Sequence, residues 1–74
     1  MAKKIRIKNN IRTLRFMANE MTQQQLADLV GVTRQTILAV ENGKYSPSLE
    51  LAFAISRVFE KNLEEIFSFD EEQI

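Results

Sequence analysis

Ten consecutive residues, Thr33 to Asn42 (TRQTILAVEN), hold the side chains best suited to chemistry in this chain. On a helical wheel at about 100° per residue with Arg34 at zero, Arg34, Leu38, Asn42, Gln35 and Ala39 fall within an arc of roughly 140°. Ile37 and Val40 fall on the opposite side. One face therefore offers a guanidinium, two primary amides and two apolar groups. Arginine can bond bidentately to guanine and glutamine to adenine, while Ala or Leu can touch a thymine methyl. The chemistry is the reading of base edges, and no bond need be made or broken.

Other chemistries find little support. The chain has no Cys and no His, which removes disulfides, thiol nucleophiles, histidine bases and structural zinc, and leaves carboxylates as the only side-chain metal ligands. Glu64, Glu65, Asp70, Glu71 and Glu72 cluster near the C-terminus, where they read as a helix-capping and solubilising tail rather than a paired-carboxylate site. No catalytic residue, cofactor or metal is expected, and an enzyme is the poorest of the readings.

At 74 residues with 45% hydrophobic content, the chain suits one small domain over 1–74 with a single core. Ten basic and ten acidic residues cancel, yet they are unevenly placed. Met1 to Arg15 holds six basic residues and no acid; Glu60 to Ile74 holds six acids and one base, Lys61. No apolar run is long enough for a signal peptide or for the roughly 20 residues of a membrane span, so no membrane insertion and a cytoplasmic, nucleoid-associated location are expected.

The elements that must position the Thr33–Asn42 face can be read in turn. Ile11, Leu14, Phe16, Met17 and Ala18 give an amphipathic first helix from Asn10 to about Asn19, with Arg12 and Arg15 outside. Thr22 with Gln25 forms a capping box and opens a second helix, which turns Leu26, Ala27, Leu29 and Val30 inward and ends at Gly31. Thr33 caps the third helix, stopped by Gly43. Ser48 caps a fourth, the most buried, with Leu49, Leu51, Ala52, Phe53, Ala54, Ile55, Val58 and Phe59 on a broad apolar face. Asn62 opens a short fifth helix, Leu63 to Phe67. Ile5-Arg6-Ile7 and Phe67-Ser68-Phe69 alternate with period two and are expected to pair as short strands.

Two short helices joined through Gly31, with apolar residues at Leu26, Val30, Val32, Ile37 and Val40 and a small Ala27 at their close approach, form a helix-turn-helix pattern at about 23–42. The strings MTQQQLADLVGVTRQTI, ENGKYSPSLELAFAI and LEEIF resemble the Cro/C1-type (XRE) helix-turn-helix repressors, especially the short stand-alone forms similar to the cytolysin repressor. The resemblance covers about Asn10 to Phe69. It implies a mainly α, five-helix, lambda-repressor-like domain that binds double-stranded DNA as a homodimer on a pseudo-palindromic operator. In the cytolysin-repressor subgroup the termini form a small antiparallel sheet, in agreement with the two strands above. RFMANEM departs from the pattern by about one residue before Thr22, and Glu20 stands where glycine is frequent.

Carried over by position, the resemblance implies that Gln23 contacts phosphate by its amide and by helix N-terminal N–H groups. Thr33, Arg34, Gln35 and Ala39 match base-reading or groove-facing positions, and Asn42 matches a phosphate contact. Lys44 and Tyr45 match the backbone-touching loop. Leu38 stands where several relatives carry a polar residue, which implies methyl contact or none.

Plainer readings stand beside these. Arg34 and Gln35 also suit a solvated helix face, Gln23 a cap partner, and Lys44 a solubilising loop residue. Glu41, at the packed edge of the wheel, is expected to pair with Arg12 or Arg15. The basic N-terminal run is either a strand or a DNA-reaching arm, with Lys3 and Lys4 adding long-range attraction. Phe67, Phe69 and Ile74 divide between core and a dimerising patch. The leading reading is a sequence-specific transcriptional repressor; the rival is a protein-binding module, antitoxin-like or adaptor, whose protein partner docks on the Phe-rich helices or the acidic tail.

Overall fold

A computed structural model describes residues 4–72, and side chains over 7–69. The elements follow in the order β1 (Lys4–Asn9), α1 (Ile11–Met17), α2 (Gln23–Val30), α3 (Arg34–Glu41), α4 (Leu49–Phe59), α5 (Leu63–Ile66) and β2 (Phe67–Glu72). The mainly helical architecture with one small two-stranded sheet agrees with the sequence reading. Among the described residues no helix is long and apolar enough to cross a membrane.

β1 and β2 pair antiparallel, with Ile7 opposite Phe69 and Asn9 opposite Phe67. The ladder is longer than the period-two triplets suggest, and its register sets Lys4 opposite Glu72 and Arg6 opposite Asp70. The basic run is thus strand from Lys4 onward, while Lys3 and Ile74 lie outside the described residues.

Caps decide where the helices begin. Thr22 Oγ1 accepts the Gln25 N–H at 3.0 Å, and Gln25 Oε1 accepts the Thr22 N–H at 2.8 Å, the reciprocal box expected of TQQQ. Ser48 Oγ accepts the Leu51 N–H at 3.1 Å, and the Asn62 N–H donates to Glu65 at 2.8 Å. The start of α1 differs: Asn10 stands at the cap position without a side-chain cap bond, and Asn9 Oδ1 accepts the Ile11 N–H instead.

Gly31 ends α2 at φ 78°, with its N–H and that of Val32 both on the Ala27 carbonyl. A Cβ there would meet nothing within 4 Å, so the backbone conformation, not crowding, asks for glycine. Helix α1 stops two residues short of the expected Asn19. Asn19 and Glu20 both take positive φ, 62° and 57°, in the turn that follows. α5 also ends one residue early, because Phe67 already belongs to β2.

The core gathers Ile11, Leu26, Ala27, Ile37, Val40, Leu51, Ile55 and Ile66, with Leu14, Met21, Val30, Val32, Val58, Phe59 and Phe67 packed around it. α4 supplies three of the buried residues, Leu51, Ala52 and Ile55, more than any other helix. Five apolar residues expected inside face solvent instead: Phe16, Met17, Leu29, Leu49 and Phe53. Helices of seven to eleven residues bury one stripe each, and flanking apolar positions are left outside when no second layer covers them. Arg15 makes the opposite exchange. Expected outside, its side chain is 13% exposed.

Candidate nucleic-acid interface

Helix α3 is held from beneath by Ile37 and Val40, which are 0% and 2% exposed. Its N-terminus is organised by Thr33, whose Oγ1 accepts the Thr36 N–H at 3.2 Å and shares a 3.0 Å bond with the Thr36 hydroxyl. Thr33, matched by the resemblance to a groove-facing position, is exposed, but its hydroxyl is engaged in the cap. Arg34, Gln35, Leu38 and Asn42 are exposed and Ala39 is half-buried, so the five positions of the wheel face do lie on the outer side of the helix. Asn42 closes α3, and Lys44 and Tyr45 follow on an exposed loop after Gly43, whose φ is 74°.

Gln23 is the first residue of α2. It is half-buried, and its Nε2 donates to Glu41 Oε1 at 3.2 Å, so part of the amide is turned to α3. The same carboxylate receives Arg15 Nε at 2.6 Å and Nη2 at 3.1 Å, while Arg15 Nη1 donates to the Met21 carbonyl at 2.8 Å. Of the two arginines offered for Glu41, Arg15 is the partner. The acid on α3 is thereby neutralised and turned inward, away from an approaching anion.

An open groove beside α3 is lined by Arg12, Phe16, Thr22, Gln23, Gln24 and Arg34, among others. Arg12 and Gln24 are exposed, and the fold sets them in the same groove as Arg34 and Gln23. The sequence placed Arg12 on an outer face or beside Glu41, and not among the DNA-contacting residues. What could have flagged it is its position one turn before Phe16 on the solvent side of α1, next to the cap of α2.

An α-helix with a buried apolar base, a polar outer face and a short turn to a supporting helix can enter a major groove. A helix-turn-helix family profile matches residues 11–66, which includes every helix of the structure. The chain belongs to the Cro/C1-type (XRE) helix-turn-helix family. A helix-turn-helix-type transcriptional regulator of Archaeoglobus fulgidus is 57% identical over 54 residues, covering 73% of this chain and 76% of that one. A Methanocaldococcus jannaschii regulator of the same type is 45% identical over 67 residues, covering 90% of this chain and 100% of its own. One from Bacillus subtilis is 42% identical over 66 residues, covering 89% and 98% respectively. In this helix-turn-helix protein α2 and α3 are the two helices joined through Gly31.

Proposed function

We propose that this helix-turn-helix protein is a sequence-specific DNA-binding regulator of transcription. The whole of 1–74 would act as one domain, a cytoplasmic, nucleoid-associated repressor that binds a pseudo-palindromic operator as a homodimer. The observation that carries the reading is the split of α3: Ile37 and Val40 are buried, and Arg34, Gln35, Leu38 and Asn42 are exposed on the other side. Arg34 and Gln35 would bond to base edges, Leu38 and Ala39 would meet methyl groups, and Asn42, Lys44 and Tyr45 would hold the backbone. Gln23 would serve phosphate through the α2 N-terminus and its remaining amide valences while bracing Glu41.

The homodimer is supported by an apolar groove lined by Ile7, Pro47, Leu49, Ala52, Leu63 and Phe67, continued by Phe69 at 71% exposure. None of these residues belongs to α3; Pro47 lies at the far end of the loop that carries Lys44, and the others lie on β1, α4, α5 and β2. A second copy seated there would leave Arg34 and Gln35 uncovered, and two-fold symmetry would set half-site centres about 34 Å apart.

Selection of random duplexes against the purified protein at fixed salt, with Arg34→Ala in parallel, tests this reading. Enrichment of a palindrome with half-sites about ten base pairs apart, relaxed at one base position in the variant, is the expected result. Equal enrichment by both proteins would remove Arg34 from recognition. No enrichment would favour a protein-binding module, for which Phe53, 52% exposed on α4, is the motivating observation.

A further inference from the structure

Asn9 is the last residue of β1, and its one amide does two things. Oδ1 accepts the Ile11 N–H at 3.1 Å and so starts α1; Nδ2 donates to the Val40 carbonyl at 3.0 Å, across 31 positions of sequence. Val40 lies in the last turn of α3, where carbonyls run out of intrahelical partners, and it also receives the Gly43 N–H at 3.1 Å. The next residue, Glu41, is held by Arg15. Asn10 faces the other way: its N–H donates to the Ile66 carbonyl and its Nδ2 to that of Glu65, at 3.1 and 3.0 Å. The Asn9-Asn10 pair thus joins β1, the end of α5 and the end of α3.

We propose that Asn9 is a positioning residue for DNA recognition, whose amide sets the pitch of α3 against the β1–α5 side of the domain. The inference rests on the function proposed above. α3 packs principally on α2, with Ile37 and Val40 set into the core, and a pivot about that contact would change its pitch. A tilt of about 10° moves the far end of an eight-residue helix by about 2 Å, more than a bidentate base contact tolerates. The Val40 bond opposes that pivot at the C-terminal end, as the Arg15–Glu41 pair does one residue later. β1 and α5 also supply Ile7 and Leu63 to the apolar groove. The amide therefore links the reading helix to the elements that would set the distance between two copies. Phosphate contacts tolerate small shifts, so loss of the link should fall on specific binding.

Asn9→Ser isolates the bond, since its hydroxyl keeps an acceptor for Ile11, is too short to reach Val40 and adds no charge. The variant is compared with wild type and with Asn10→Ala, which cuts the Glu65 link without touching α3. Melting temperature, affinity for the selected operator, affinity for unrelated duplex and salt dependence are measured for each. Expected for Asn9→Ser are a cooperative melt, an about tenfold weaker operator affinity and unchanged unrelated-duplex affinity; Asn10→Ala should bind operator as wild type does. If Asn9→Ser is too unstable to assay, Asn9→Thr replaces it, its hydroxyl likewise keeping the Ile11 acceptor but too short for Val40. Wild-type operator affinity in the Asn9 variant overturns the proposal. So does an equal loss on operator and unrelated duplex, or failure of both Asn9 variants to fold. If wild type itself prefers no sequence, the proposed function fails and the positioning role falls with it.

Discussion

Arg15 and Glu41 meet in a two-bond pair, Nε to Oε2 at 2.6 Å and Nη2 to Oε1 at 3.1 Å, with side chains 13% and 7% exposed. The pair ties the end of α1 to the end of α3, and Gln23 and the Met21 carbonyl satisfy further valences of the two side chains. Its charges are largely out of water, so removing one leaves the other desolvated and unmatched.

Glu41→Ala or Arg15→Ala alone should therefore destabilise the fold by about 3 kcal/mol, a large share of what a domain of this size has. The double variant should cost less than the sum, because it leaves no uncompensated charge. Urea titrations of the four proteins give the coupling energy. An additive result would mean that the pair contributes nothing beyond its parts.

Lys44 is exposed on the loop after α3, where it would meet phosphate rather than a base. Lys44→Ala should weaken operator and unrelated duplex by the same factor and reduce the slope of log affinity against log salt by about one. Arg34→Ala should instead cost about 1–3 kcal/mol on operator alone. The contrast is read by titrating both variants on both duplexes at three salt concentrations; a base-dependent Lys44 effect would reassign it as a reader.

Leu49 is 68% exposed at the rim of the apolar groove and stands in the first turn of α4, where an acid is welcome. Leu49→Glu should leave the helix intact, shift the protein toward monomer in sedimentation equilibrium and lower operator affinity while sparing unrelated-duplex binding per protomer. An unchanged dimer would move the interface elsewhere.

Glu60 closes α4 with φ 54° and ψ 45°, a left-handed conformation that costs an L-residue energy, and its carboxylate sits at the negative end of the helix. It is exposed, so little packing is lost on truncation. Glu60→Gly should stabilise the domain by about 0.5–1 kcal/mol, offset in part by the freer unfolded chain, and raise the melting temperature by about 3–6 °C. A lower melting temperature would show that the side chain makes a stabilising contact.

Local chemistry in the sequence determined most of what is short-range here. Thr22, Thr33 and Ser48 each start a helix because a hydroxyl at that point satisfies an N–H that the helix leaves open, and Gly31 and Gly43 end helices because a positive φ is cheap for them. The outward face of α3 was legible for the same reason, since Ile37 and Val40 share a side at helical spacing. Alternation in Ile5–Ile7 and Phe67–Phe69 marked the strands, and complementary charge their pairing.

Tertiary structure decided what depends on which surfaces find a partner. Phe16 and Leu29 look like core residues in sequence, yet the few short helices cover only one stripe of each neighbour and leave them in solvent. Arg15, not Arg12, is taken inward because only its position reaches both Glu41 and the Met21 carbonyl. Gln23 turns to Glu41, and Asn9 reaches Val40, through bonds between residues 18 and 31 positions apart. Hydrophobic periodicity carries no information about such distances, because a side-chain hydrogen bond needs its partner placed within a few tenths of an ångström, and only the packed chain does that.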